Sequence, residues 1–116
     1  MSFELVGFAV TDGDDFKKAA KRLKKKYRHI DEDINLFLKN IKTTDDLGIN
    51  IKDNIYKVRI KNSDKTTGKS GGYRLLTYVK LINKELFLLY IYDKSELENI
   101  NEKDLDELVV RLDGLQ

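Results

Sequence analysis

The sequence predicts a single α+β domain in which a mostly antiparallel β-sheet carries two N-terminal helices and one C-terminal helix. Between residues 55 and 92, three stretches have the apolar pattern of β-strands, either alternating with polar residues or nearly continuous. Nearer both ends of the chain, apolar residues recur at the spacing of an α-helix. No linker or internal repeat divides the 116 residues, a length that suits one domain with a modest core. We therefore expect one domain over residues 1–116, with the element order β-α-α-β-β-β-α.

The N-terminal part predicts a strand followed by a helix. Residues 3–10 are largely apolar and favour a strand, with Gly7 as a bulge or a point of close backbone approach. Thr11 or Asp12 can cap the helix, which should run to about Lys26. Its predicted core face carries Phe16, Ala19, Ala20, Leu23 and Tyr27. The opposite face is dense in lysine, and such a face is either merely solvated or bound to a polyanion.

A second helix should follow the connection at residues 28–30. Its predicted core face carries Ile30, Ile34, Phe37, Leu38 and Ile41. The single histidine, His29, lies in the connection and is expected to be an ordinary exposed or half-buried residue. Residues 42–54 are polar and predict a loop with at most one irregular turn. Near the C-terminus, Asn101 is a good N-cap for a last helix with apolar spacing from Leu105 to Leu112, and Gly114 can end it.

The three predicted central strands carry the positive charge of the chain. On the first strand cations alternate with apolar residues, so each kind occupies its own face. The cations are Lys57, Arg59 and Lys61, and the apolar residues are Tyr56, Val58 and Ile60. The second strand, Tyr73–Val79, adds Arg74, and the third, Leu86–Tyr92, is almost wholly apolar. Residues 54–94 hold nine Lys or Arg against three Asp or Glu, a net +6, whereas residues 95–116 carry −5.

Composition excludes several classes of chemistry. The absence of cysteine excludes disulfides and thiolate catalysis, and one histidine excludes a two-histidine ribonuclease or a histidine-rich metal site. We expect no cofactor and no metal. No apolar run approaches the ~18 residues of a membrane span, and the N-terminus lacks the pattern of a signal peptide. The predicted location is cytoplasmic, with no membrane partner.

The loop between the first two central strands resembles a phosphate-binding motif without matching it. SDKTTGKS at residues 63–70 has Ser63 where the motif G-x-x-x-x-G-K-[ST] begins with glycine, and a strand follows where the motif needs a helix. We therefore reject nucleotide hydrolysis. A flexible hairpin connection is the simpler interpretation, in which Lys65 and Lys69 form a mobile cationic arm beside the basic strand.

Two interpretations remain open for the arginines and for Tyr92. Lysines on an exposed edge strand protect against aggregation, but the planar fork of Arg59 and Arg74 suits phosphate recognition better than that role. Which face Arg74 takes depends on the pairing register. Tyr92 is either a packing residue or a proton-transfer group, since a side chain at this strand end is expected to leave the core and meet cations that stabilise its anion.

Three motifs resemble the RelE/HigB-type toxins of type II toxin–antitoxin systems, within the RelE/ParE superfamily and closest to the HigB-like branch. They are YKVRIKN at 56–62, GKSGGYR at 68–74 and an apolar strand that ends in Tyr-Asp-Lys at 92–94. The resemblance implies a compact RelE-like microdomain that acts as a ribosome-dependent mRNA endoribonuclease, or mRNA interferase, and inhibits translation. It also implies metal-independent attack of the RNA 2′-hydroxyl on the adjacent phosphorus. The implied partners are the ribosome, mRNA and a cognate antitoxin of the helix-turn-helix type.

The resemblance also assigns candidate residues. Those matching catalytic positions are Lys57, Arg59, Arg74, Tyr92 and Lys94. The expected RNA- and ribosome-binding residues are Lys61, Lys65, Lys69, Lys17, Lys18 and Lys21. The sequence departs from the family in having no histidine within 55–94 and in having Ser95 where some members have arginine, so the acid and base stay unassigned. The alternatives are a ParE-like toxin that inhibits DNA gyrase and a non-catalytic basic nucleic-acid-binding module.

Overall fold

The computed structural model describes residues 2–65, 71–96 and 100–113. Within them the chain forms β1 (Ala9–Asp12), α1 (Asp14–Lys24), α2 (Ile30–Asn40), a short 3-10 helix (Thr44–Leu47), β2 (Ile49–Lys52), β3 (Ile55–Ile60), β4 (Tyr73–Lys80), β5 (Glu85–Asp93) and α3 (Glu102–Asp113). The strands make one sheet in the order β1-β5-β4-β3-β2. The pair β1–β5 is parallel and the other pairs are antiparallel, so the predicted α+β class is confirmed.

The helices form two layers, one on each face of the sheet. Helices α1 and α2 pack through Phe16, Leu23 and Ile34, among others, on the face that carries Tyr73 and Leu75. We call this the α1/α2 face. Helix α3 packs on the other face, which we call the α3 face, through Leu105, Leu108 and Leu112 against Leu76, Phe87 and Leu89. The helical spacing in the sequence predicted these buried stripes correctly.

The N-terminal strand is shorter than predicted. Residues 3–8 make a single isolated bridge, Glu4 to Thr43, and a turn at Gly7, where φ is +86°. Leu5 is instead buried with Leu47, Val79 and Leu86, so its side chain fills a core pocket while the backbone leaves the sheet. Gly7 therefore lies in a turn before β1 and is not a strand bulge.

Strand β2 was not predicted, because residues 42–54 were expected to be a loop. It is a four-residue edge strand that pairs with β3 through an irregular register. Gly48 permits this pairing: its φ is +85°, and a Cβ atom there would lie 2.2 Å from the carbonyl oxygen of Lys57. Only glycine tolerates so close an approach at that backbone conformation.

The helix caps are partly as predicted. Helix α1 begins after Gly13, which has no side-chain cap, so the expected capping by Thr11 or Asp12 is wrong. Gly13 donates its N–H to the carbonyl of Leu88 (2.9 Å), and a Cβ there would lie 3.0 Å from the same oxygen, so close approach to β5 decides where the helix starts. The expected cap of α3 is confirmed, since the backbone N–H of Asp104 donates to Asn101 Oδ1 at 2.8 Å.

Candidate active site

The register of the central strands brings three predicted site residues into one row. Arg59 on β3 is directly opposite Arg74 on β4, and Arg74 is directly opposite Tyr92 on β5. Lys57 belongs to the same face, opposite Leu76, because side chains two residues apart on a strand point the same way. This row lies on the α3 face of the sheet. The expectation that the two arginines converge is therefore supported by the pairing.

A β-bulge in β5 places Tyr92 in this row. Thr77 pairs with Leu88, but the next residue on β4, Leu76, pairs with Tyr90, so β5 contains one extra residue. Before the bulge, even-numbered Leu88 packs on the α1/α2 face; after it, odd-numbered Ile91 packs there and Tyr92 packs on the α3 face. Without the extra residue Tyr92 would point away from Arg74.

Arg74 is a buried cation without an acidic partner in the described part of the chain. Its side chain is 6% exposed and donates to the carbonyl of Tyr73 at 3.4 Å. No described carboxylate lies within ion-pair distance of Arg74 or Arg59. Like charges directly opposite each other on a sheet are unfavourable, and an unpaired buried charge costs free energy. The pair therefore favours an anion between the guanidinium groups.

Tyr92 is buried, which corrects the expectation that its side chain leaves the core. It is 1% exposed, and its hydroxyl has no hydrogen-bond partner among the described residues. Burial raises the pKa of Tyr92, and the cation of Arg74 offsets only part of that effect. The phenol therefore keeps its proton in this conformation, and the predicted stabilisation of its anion is outweighed.

Helix α3 covers this face of the sheet. Ile100 and Leu105 pack in the same cluster as Tyr92. At the helix surface, Lys52 Nζ donates to Glu102 (3.0 Å) and Asp106 (2.8 Å), and Arg111 Nε donates to Asp15 (2.9 Å). These are exposed ion pairs, which contribute little to stability. Grooves of about 310 Å³ and 290 Å³ flank the helix on the α1 side and on the β2 side.

The remaining predicted residues are more dispersed. Lys61 is exposed one residue beyond β3, and Lys94 is half-buried just beyond β5, where its N–H donates to the carbonyl of Gly72 at 3.1 Å. The lysines of α1, namely Lys17, Lys18 and Lys21, are exposed on the helix that packs on the opposite face from Arg74. Lys69 lies outside the described residues. A glycine is needed at 72 because a Cβ there would lie 2.5 Å from the carbonyl oxygen of Ile60.

Lys65 does not form part of a mobile cationic arm, so that expectation is wrong. Its Nζ donates to Asp93 Oδ1 at 2.8 Å and lies 5.4 Å from the centre of the Tyr27 ring. Asp93 is fully buried and also accepts hydrogen bonds from the backbone N–H and the hydroxyl of Ser95 and from Asn62 Nδ2. Sequence reasoning missed this cluster, although an acid that directly follows an apolar strand was a signal for a buried pair.

Two further contacts hold the start of the same loop against α2. The ring of His29 lies with Nδ1 2.6 Å from Asp64 Oδ1, and its backbone N–H donates to the other oxygen at 2.9 Å. Ser63 donates both its N–H and its hydroxyl to Asp33, each at 3.0 Å. Hydrogen bonding to Asp64 raises the pKa of His29 and lowers that of Asp64. His29 is exposed, as expected, and its ring faces a carboxylate on the α1/α2 face, away from the arginine row.

Fold and site together define a small α+β domain with a row of basic residues on one face of its sheet. The sequence model described as the RelE toxin of the RelE/RelB toxin–antitoxin system matches residues 12–111, so this chain belongs to the RelE toxin family. The solved structure of an E. coli RelE mutant toxin in the free state matches with a TM-score of 0.51 and 16% identity, over 78% of this chain and 87% of that one. That likeness supports the fold. Among curated proteins none matches. The closer relation to the HigB-like branch stays a prediction.

No helix in the described ranges is long and apolar enough to cross a membrane.

Proposed function

We propose that this chain is the toxin of a toxin–antitoxin pair and that it cleaves mRNA on the ribosome. The observation that carries the proposal is the cross-strand row of Arg59, Arg74 and Tyr92 in a member of the RelE toxin family. A domain that only binds a partner does not need two arginines that lack a described carboxylate partner, aligned with a phenol on adjacent strands. Beside one phosphate, the row would supply cationic donors for the non-bridging oxygens and a proton donor for the leaving oxygen.

The proposed reaction is a transesterification within the RNA, without a metal. The 2′-hydroxyl loses its proton, its oxygen bonds to the adjacent phosphorus, and the bond from phosphorus to the 5′-oxygen breaks as that oxygen takes up a proton. The products are a 2′,3′-cyclic phosphate and a 5′-hydroxyl. Arg74 and Arg59 would neutralise the charge that accumulates on the non-bridging oxygens, and one such donor is typically worth ~3–4 kcal/mol of the barrier.

The proton transfers fall to Tyr92, Lys57 and Lys94. Because burial raises the pKa of Tyr92, the phenol enters the reaction protonated and suits donation to the leaving 5′-oxygen better than removal of the first proton. Lys57 lies on the same face, one row away, and Lys94 lies two residues beyond Tyr92. The base is therefore a lysine or a group of the ribosome–mRNA complex, in which RNA can supply orientation that the protein lacks.

The cover by α3 sets a condition on this function. Arg74 and Tyr92 are buried, and Tyr92 packs in one cluster with Ile100 and with Leu105 of α3, so substrate would reach the phenol when α3 shifts from the sheet. Exposed ion pairs and open grooves on both sides leave that helix easier to displace than a strand of the sheet. Docking on the ribosome would expose the site, and the proposed antitoxin partner would keep it closed. The protein is expected to act in the cytoplasm, where both are found.

The direct test is cleavage of a defined mRNA on purified ribosomes, with analysis of the RNA ends. We expect cuts that carry a 2′,3′-cyclic phosphate and a 5′-hydroxyl, and no cutting of the same mRNA without ribosomes. Co-expression with the product of the adjacent reading frame should yield a co-purifying, inactive complex. Absence of cleavage together with inhibition of gyrase supercoiling would replace this proposal with the ParE-like alternative.

A further inference from the structure

The buried carboxylate of Asp93 connects the ends of the three strands that carry the arginine row. Asp93 directly follows Tyr92 and is paired with Tyr73, the residue before Arg74. Its hydrogen-bond donors Lys65 and Asn62 belong to the chain just beyond β3, the strand of Arg59. On the α1/α2 face, the carboxylate of Asp93 thus accepts hydrogen bonds from the segments that follow β3 and β5. The backbone of Asp93 pairs with β4.

The carboxylate is charged and well satisfied in this position. Burial raises the pKa of Asp93, but the hydrogen bonds from Lys65 and Ser95 outweigh that effect and hold the pKa below its usual value. The cluster continues into the core: Lys65 lies over the ring of Tyr27, which meets the ring of Tyr73 edge-on with centres 5.8 Å apart. A carboxylate placed elsewhere on this sheet would lose all of these donors.

The bulge makes the end of β5 the weak point of the register. After Tyr90, the strand has only three more residues, Ile91, Tyr92 and Asp93, whose pairing with β4 maintains the register that the bulge creates. A slip by one residue that removed the bulge would turn Tyr92 towards the α1/α2 face and Asp93 towards the α3 face, away from Lys65. A buried ionic group that is satisfied in a single register is a known device for fixing register.

We infer that Asp93, through its bonds to Lys65, Asn62 and Ser95, is a positioning residue that locks the bulged register of β5 and so keeps Tyr92 opposite Arg74. Asp93 lies on the other face from the arginine row and does not touch the substrate. The inference extends the proposed function, since alignment of the row matters for cleavage only if the row is catalytic. The register itself can be measured whether or not the protein cleaves RNA.

The test compares Asp93→Asn with Asp33→Asn. Both changes remove one carboxylate charge that binds the segment just beyond β3, but Asp33 lies on α2 and its hydrogen bonds among the described residues go to Ser63, not to β4 or β5. The first readout for each variant is the set of cross-strand NOEs between Arg74 and Tyr92. The second is the kinetics of mRNA cleavage, which give the single-turnover rate at saturating ribosomes and the ribosome concentration at half-saturation. We expect Asp93→Asn to weaken or split the NOEs and to lower the rate ~10–100-fold, with half-saturation unchanged. Asp33→Asn should leave both readouts at the parent's values.

The outcomes separate this inference from the proposed function. A folded Asp93→Asn protein that keeps the NOEs, or loses them and still cleaves at the parent's rate, overturns the positioning role. If the parent cleaves nothing, the proposed function fails and the NOEs alone decide whether Asp93 locks the register. If Asp93→Asn does not fold, Lys65→Met takes its place, because it leaves the bonds from Ser95 and Asn62 intact. Lys65→Met should shift the same NOEs and lower the rate by a smaller factor, and parent values for both would overturn the inference.

Discussion

Arg74 lies directly opposite Tyr92 on adjacent antiparallel strands, and both side chains are buried, that of Tyr92 in one cluster with Leu105 of α3. The guanidinium group has no carboxylate partner in the described ranges, and the phenol hydroxyl has no hydrogen-bond partner there. Native cores rarely leave a buried hydroxyl without a partner, because an unsatisfied polar group costs free energy. In the proposed function, a phosphate group of the RNA would supply the charge and the acceptor that this pair lacks.

Tyr92→Phe should separate stability from chemistry. Removing a buried hydroxyl that has no partner in the described part of the chain should leave the free energy of unfolding unchanged or raise it by about 1 kcal/mol. If Tyr92 transfers a proton, the same change should lower the single-turnover cleavage rate by ~10²-fold or more while ribosome affinity stays constant. Urea unfolding and cleavage kinetics measure the two effects.

The matched control for that change is Tyr73→Phe. Tyr73 is also buried, and its hydroxyl has no hydrogen-bond partner among the described residues, but it packs on the α1/α2 face. We expect a similar effect on stability and no effect on cleavage. Equal rates for both variants and the parent would assign the proton transfer to a lysine or to RNA.

Ribosome binding should depend on the lysines of α1 and on salt. The double change Lys17→Ala/Lys21→Ala should reduce affinity and lower the slope of log affinity against log salt by about 1.4–1.8, if each lysine neutralises one phosphate. The cleavage rate of bound complexes should not change, because α1 lies on the other face from Arg74.

Lys39→Ala/Lys42→Ala is the control, since both of these lysines are exposed but lie outside the basic face of α1. An equal loss of affinity in the two double variants would show that only net charge matters. A slope that stays flat for the parent itself would contradict electrostatic docking.

The pair His29–Asp64 should stabilise the protein within a limited pH window. Because Asp64 raises the pKa of His29, the stabilising contribution is present below the unfolded value of about 6.5 and disappears as pH rises through the folded value. The pKa of Asp64 is lowered in the folded state, so its carboxylate stabilises the protein above pH about 3.9, the ordinary pKa of aspartate. This stabilisation is lost as pH falls through the pKa that Asp64 has in the folded state. His29→Gln should therefore lower the melting temperature most near pH 5 and least near pH 9.

Asp31→Asn gives the comparison, because Asp31 pairs with Lys24 and no histidine is involved. Its effect should not vary between pH 5 and pH 9. A His29→Gln effect that is equally constant over this range would show that the pair is not formed in solution.

Leu108→Ala should loosen α3 without disturbing the sheet. Leu108 is buried against the α3 face, and truncation of such a residue usually costs 2–5 kcal/mol of packing. Because α3 contacts the sheet along one stripe, we expect faster amide exchange in residues 102–112 and unchanged exchange in β3, β4 and β5. Val110→Ala is the control, since Val110 is 70% exposed and should change neither. Global destabilisation by Leu108→Ala, with the exchange of all elements raised together, would contradict an independently displaceable cover.

The sequence was most informative where the signal was local. The apolar spacing from Phe16 to Tyr27 and from Leu105 to Leu112 identified the buried faces of α1 and α3, because helical neighbours are close in sequence. The alternation of Lys57 and Arg59 with Val58 likewise identified the two faces of β3. Strand β2 was missed because it is short and relies on close approach at Gly48 for its pairing.

The parts that sequence reasoning could not supply depend on distant pairing. The face taken by Tyr92 is set by one extra residue in β5, and nothing in LFLLYIYD marks where a bulge falls. The pair Lys65–Asp93 joins residues that are 28 positions apart, so the sequence did not reveal that Lys65, expected in a mobile cationic arm, is bound to a buried carboxylate. The burial of Arg74 depends on the face that its side chain takes, and the pairing register that sets this face cannot be read from the sequence.

The most direct measurement is the single-turnover cleavage of ribosome-bound mRNA by Arg74→Ala, beside Arg59→Ala and the exposed control Arg28→Ala. Arg74→Ala and Arg59→Ala should each lower the rate by ~10²–10³-fold at saturating ribosomes, because each removes a donor to the charge that develops on the phosphate. Arg28→Ala should cleave at the parent's rate, since Arg28 lies in the connection between α1 and α2. An Arg74→Ala protein that melts like the parent and still cleaves at the parent's rate would show that the arginine row is not the active site.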